Sequence, residues 1–154
     1  MPGEIEKRLA AMGVTLPVPT PPAATFQPFV EIGGMLYISG QIPMGPSGPE
    51  FVGKLGRDYD VETGRQAARL CGIYLLAQAK AALGDLDRIK RFVKLTGFVN
   101  CTPDFGDGPK VINGCSDFLV EAMGDRGRHA RSAIGVASLP WGVAVEVEAI
   151  AAVS

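Results

Sequence analysis

Arg131-Ser132-Ala133-Ile134-Gly135-Val136-Ala137-Ser138, Leu139-Pro140-Trp141-Gly142, Val143-Ala144-Val145-Glu146-Val147-Glu148-Ala149-Ile150: on this stretch the fold turns. Ser132–Ser138 and Val143–Val153 predict two strands around the Leu139–Gly142 turn. In the second strand Val143, Val145 and Val147 oppose Ala144, Glu146, Glu148 and Ile150. Successive strand side chains point to opposite faces, so one face is valine and the other carries two carboxylates. A carboxylate taken out of water is costly unless paired or functional. Glu146 and Glu148 therefore either face solvent or lie against a surface that uses them.

Working back towards the N-terminus, Pro109 starts a helix whose Ile112, Cys115, Leu119 and Met123 share a core-facing stripe. Asn100–Gly108 and residues 124–130 are loops, and Ile89–Val99 is a strand. Asp60 is a good N-cap and Gly84 a good C′ residue, so a long helix fills the interval between them. Ala67, Ala68, Cys71, Tyr74, Leu75, Ala79 and Ala82 give that helix a broad apolar face. Gly33-Gly34 predicts a hairpin between Phe29–Ile32 and Met35–Ser39, and Glu50–Leu55 is expected to add a third strand. Ile5, Leu9 and Met12 form the stripe of a short N-terminal helix, joined to the rest by a connector with five prolines between Pro17 and Pro28. The chain divides into residues 1–28, helix and connector, and residues 29–154, one α+β domain.

Two long helices cover only one face of the expected six-stranded sheet. Met35–Ile38 is apolar on both sides, and the other face of the last strand is only partly polar. A sheet face left open and partly apolar calls for a second subunit. The pattern thus predicts an oligomer.

Composition narrows the function classes. The chain has 154 residues, 47% of them hydrophobic, with 15 Lys+Arg against 16 Asp+Glu. That suits one folded domain rather than a disordered segment. No apolar run reaches the roughly 20 residues of a membrane span, and the N-terminus lacks the apolar core of a signal peptide, so a cytoplasmic protein is expected. The balanced charge argues against a nucleic-acid surface. Cys71, Cys101 and Cys115 form no CxxC, and one histidine, His129, is too few partners for a zinc site. Cys71 reads as a core residue. Cys101 and Cys115 border a Pro/Gly-rich loop, where a reactive thiol is one reading. GxSxG, Walker, dinucleotide and HExxH motifs are all absent.

Three side chains remain as candidates for chemistry. Arg131, at the start of a strand, could sit at a sheet edge and grip a carboxylate or phosphate with its planar fork, or be a surface arginine. Glu146 could polarise a water if a second subunit covers its face. His129 could act as a base or be an incidental loop histidine.

Ser39-Gly40-Gln41-Ile42-Pro43 and the run from Arg131 to Ala149 resemble the two signature blocks of the RidA (YjgF-type) family. These are imine deaminases, also known by the older name L-PSP endoribonucleases. The Gly84-Asp85-Leu86…Val93…Phe98-Val99 pattern between the blocks is similar too, and the likeness runs from about Phe26 to the end. The resemblance implies a chorismate-mutase-like fold assembled as a homotrimer, with clefts between subunits and no cofactor or metal. It implies that Arg131 grips the substrate carboxylate and that Glu146 orients the attacking water. Asn113 and the backbone around Gly40 and Ala133 would line the cleft. The family's cleft tyrosine aligns with Phe29, and a cysteine common two residues after the arginine is Ala133. The implied reaction is hydrolysis of a small 2-imino acid, such as 2-aminoacrylate or 2-iminobutanoate, to a 2-oxo acid and ammonia. A non-catalytic trimer that binds small carboxylates is the alternative. RNA cleavage, which the older name suggests, lacks a basic, aromatic-interleaved surface here.

Overall fold

A computed structural model describes residues 1–154. The elements run α1 (Glu4–Ala11), β1 (Phe29–Ile32), β2 (Met35–Gln41), β3 (Met44–Gly45), β4 (Gly48–Pro49), α2 (Val61–Leu83), β5 (Ile89–Asn100), α3 (Gly108–Met123), β6 (Ala130–Val136) and β7 (Val145–Val153). Their local causes match the sequence closely. The Asp60 carboxylate accepts the Thr63 N–H at 2.9 Å and starts α2, and Gly84 ends it at φ +76°. Gly33 and Gly34 both hold positive φ, +59° and +77°, as a two-residue hairpin turn requires.

The main sheet has five strands, not six, in the order β1-β2-β7-β5-β6. The Glu50–Leu55 strand is the expectation that fails. Phe51 sits at φ +53° and Gly53 at φ +154°, which breaks the run of extended residues a ladder needs. Only single bridges remain, such as Val52 to Val143, while β3 and β4 pair separately as a two-residue ribbon. The two closing strands are neighbours in sequence but not in the sheet. Strand β5 lies between them, parallel to β6 and antiparallel to β7. The β5-α3-β6 crossover joins the parallel pair.

Both long helices lie on one face, as the element count required. Val145, Val147, Ala149, Ala151 and Val153 of β7 are buried beneath them with Leu36, Ile38, Leu95 and Val99. Helices α2 and α3 approach so closely at Gly114 that a Cβ there would stand 2.7 Å from the Arg65 carbonyl carbon. Ile5 and Leu9 of α1 belong to the same core, so the N-terminal helix is built onto the domain. The opposite sheet face has no cover in the chain. Val30, Ile32, Tyr37 and Ile134 are exposed there, on the side that carries Glu146, Glu148 and Lys94.

Candidate functional site

Strand register sorts the predicted site residues onto two faces. Glu146 is paired with Phe98 and points to the open face. Arg131 is paired with Leu95, and Ala133 with Gly97, so both point to the helix face. Both lie on β6, two strands from β7; Arg131 is three register steps along from Glu146, an offset of roughly 14 Å from strand spacing and rise, and Ala133 is one step along. One chain therefore does not bring Arg131 to Glu146.

Each half has its own construction. A Cβ on Gly40 would stand 2.8 Å from the Glu146 carboxyl carbon, so the glycine of the Ser39–Pro43 block makes room for this carboxylate. A register shift between Ile38 and Gln41 puts Gly40 there. Glu146 is half-buried with no hydrogen-bond or salt-bridge partner in the chain. Burial, and secondarily Glu148 two residues on, pushes its pKa above the usual carboxylate value. A carboxylate poised this way can orient water and take up a proton.

Arg131 stands against the first turns of α3. Its Nη1 donates to Asn113 Oδ1 at 2.8 Å and to Ser116 Oγ at 3.2 Å, and Nη2 donates to the Pro109 carbonyl at 3.3 Å. Pro109, Asn113 and Ser116 share one helix face, being four and three residues apart. Three of the five guanidinium donors are thereby used. Those left, one on Nε and one on Nη2, are the pair a carboxylate takes side-on. A surface pocket of about 260 Å³ opens beside it, lined by Ser116, Asp117, Val120, Arg128, His129 and Arg131.

The remaining candidates fall elsewhere. Phe29 is half-buried at the opposite edge of the sheet, where it lines a cavity under the proline-rich connector with Phe26 and Gln78. Cys115 is fully buried rather than at a loop border, and burial pushes its thiol up to about 12. Cys71 is buried likewise and its thiol is pushed well above the ordinary value. Neither is a reactive cysteine. Cys101 packs against β6, where a Cβ on Gly135 would stand 2.8 Å from its Sγ. Both nitrogens of His129 are engaged, Nδ1 with the Gly127 carbonyl at 2.6 Å and Nε2 with Ser116 Oγ at 2.9 Å. It is no free base. Ser116 is the site residue that sequence reasoning missed, although its spacing from Asn113 already placed it on the same face.

Two long helices on one face of a mixed sheet, with Arg131 on β6 hydrogen-bonded to α3 and Glu146 on the open side, define a chorismate-mutase-like α+β protein. Residues 6–151 match the family described as "YjgF/chorismate mutase-like, putative endoribonuclease". The chain belongs to the RidA/YjgF family. Protein TCP17 of Trypanosoma cruzi is 44% identical over 149 residues, covering 96% of this chain and 93% of that protein. The crystal structure of Atu1372 from Agrobacterium tumefaciens, a protein of unknown function, is 45% identical with a TM-score of 0.91, over 98% of this chain and 94% of that one. E. coli TdcF with bound serine is 28% identical with a TM-score of 0.63, over 87% of this chain and 92% of that one.

Proposed function

We propose that the protein is a hydrolase that deaminates small reactive enamine/imine intermediates, of the 2-aminoacrylate or 2-iminobutanoate type, in clefts between the subunits of a homotrimer. The observation that carries this reading is Arg131, held by three protein hydrogen bonds with the two donors for a carboxylate left over. TdcF, a relative with the same fold, holds serine, itself a small amino acid with a carboxylate. The fork fixes the substrate carboxylate, and a neighbouring subunit's Glu146 orients a water towards C2 of the imine. An enamine substrate first becomes the imine by moving a proton from nitrogen to C3. Water then adds its oxygen to C2 and one proton to nitrogen, giving a carbinolamine whose hydroxyl proton passes to the departing nitrogen. The C–N bond then breaks, giving the 2-oxo acid and ammonia. No oxidation state changes, so a clamp and a positioned water supply the chemistry.

The test is ammonia release from freshly generated 2-aminoacrylate, measured against hydrolysis in buffer alone. Faster release with the protein present is expected. A rate equal to that of buffer overturns the reading and favours a non-catalytic carboxylate-binding trimer.

A further inference from the structure

Arg131 needs more than Asn113 to be a clamp. Asn113 holds Nη1 at 2.8 Å and the Pro109 carbonyl holds Nη2 only at 3.3 Å, and a bidentate grip depends on where the guanidinium plane points, so a third bond tightens it. The second N–H of Nη1 goes to Ser116, and the proton arrangement around Ser116 is set from outside. The Gly127 carbonyl only accepts, so His129 Nδ1 must carry its ring's proton. In the neutral ring Nε2 then offers a lone pair, and the Ser116 hydroxyl donates to it at 2.9 Å. This turns the lone pairs of Ser116 Oγ towards Arg131 Nη1 at 3.2 Å. Every donor between Arg131 Nη1 and the Gly127 carbonyl meets an acceptor, and with a neutral imidazole only one assignment does this. Burial of the ring, followed by the charge of Arg131, lowers the pKa of His129 and so favours this neutral form.

We propose that Ser116 and His129 are positioning residues for the carboxylate clamp: they lock the plane of the Arg131 guanidinium so that its Nε and Nη2 donors face the substrate. The inference rests on the reading of Arg131 as that clamp. The Gly124–Gly127 turn gives the arrangement its rigidity, because it fixes the carbonyl that sets the imidazole tautomer.

Positioning predicts a loss in binding and not in the chemical step. The experiment measures steady-state ammonia release from 2-iminobutanoate, and calorimetric binding of 2-oxobutanoate as an unreactive carboxylate probe. Ser116→Ala and His129→Phe are expected to raise KM and the probe Kd about tenfold, the scale of one hydrogen bond to a charged group, with kcat within about twofold. Ser116→Thr keeps the hydroxyl and His129→Gln keeps an acceptor near the place of Nε2, so both should recover most of the affinity. An unchanged Kd for Ser116→Ala overturns the proposal, as does an equal loss in Ser116→Ala and Ser116→Thr, which would mark a packing effect. If the unmodified protein neither releases ammonia nor binds 2-oxobutanoate, the clamp reading itself fails and this inference falls with it. Normal activity and binding in the unmodified protein with no effect of the variants overturns the relay alone.

Discussion

At the scale of single residues, the proposed reaction assigns the carboxylate grip to Arg131 and the water to Glu146, and substitution separates the two shares. Arg131→Lys keeps the charge but loses the planar fork, so the expected loss has a large binding component. Glu146→Gln keeps shape but not charge, so its loss should fall on turnover. Each is expected to cost on the order of 2–4 kcal/mol in kcat/KM, read from ammonia release, with Glu148→Gln costing less. Glu146 also makes a stability prediction. Its folded pKa is raised, so the folded state holds the proton more tightly than the unfolded chain does, and stability falls as pH rises through that raised pKa. The melting temperature of Glu146→Gln should therefore gain on that of the unmodified protein between pH 4 and pH 7, a trend that calorimetry reads directly. Arg131 and Glu146 stood out as candidates in the sequence because they lie in the C-terminal signature block, whereas Asn113, outside both blocks, entered only through the family resemblance. The part of Ser116 was not, because its use depends on the 124–127 turn returning His129 to α3, a contact between residues 13 apart.

At the scale of elements, the N-terminal helix illustrates how a stripe becomes a docked part. The sequence located α1 from Ile5, Leu9 and Met12, and the structure buries the first two almost completely. What anchors its start lay outside any local pattern: Asp87, over 80 residues away, accepts the N–H groups of Glu4 at 2.8 Å and Ile5 at 3.1 Å. It thus caps a helix whose own N-cap residue, Gly3, has no side chain for the purpose. These bonds hold the Asp87 carboxylate below its ordinary pKa of 3.8. A depressed folded pKa contributes stability that is present above the unfolded value and lost as pH falls through the folded one, so α1 should loosen in acid below about pH 4. Hydrogen exchange of residues 4–11 checks this, and Asp87→Ala should cost about 1 kcal/mol at neutral pH. Deleting residues 1–20 removes two buried aliphatic side chains worth roughly 1.5–3 kcal/mol each, lowering the melting temperature by on the order of 10 °C without dissociating the oligomer. The same reasoning explains what the sequence could and could not give. Periodicity and caps placed α1, α2, α3 and β5 to within a residue or two. Strand order, and the failure of Glu50–Leu55 as a strand, followed from long-range pairing and from the positive φ at Phe51.

At the scale of the whole molecule, the two halves of the proposed site dictate the assembly. Arg131 faces α3 from the edge strand, whereas Glu146 faces the open side of the sheet two strands away. No side-chain motion joins them through a sheet whose backbone lies between. The exposed Val30, Ile32, Tyr37 and Ile134 on the open face supply the apolar surface on which another copy would close. Light scattering at micromolar concentration is expected to give a mass three times the 16.2 kDa chain. Tyr37→Glu, which places a charge on that face, should dissociate it and abolish ammonia release together. Complementation is the sharper test. Arg131→Lys chains retain a sound Glu146, and Glu146→Gln chains retain a sound Arg131. Unfolded together and refolded as mixed oligomers, they rebuild an intact cleft wherever the right chain meets the right neighbour. With equal amounts and random assembly, a cleft draws its arginine from a sound chain half the time and its glutamate half the time, so about a quarter of the clefts are whole. Recovery near that fraction, from two variants each nearly inactive alone, is the expected result. A mixture no more active than its parts would place both residues in the same protomer's site, and the cleft between subunits would have to be abandoned.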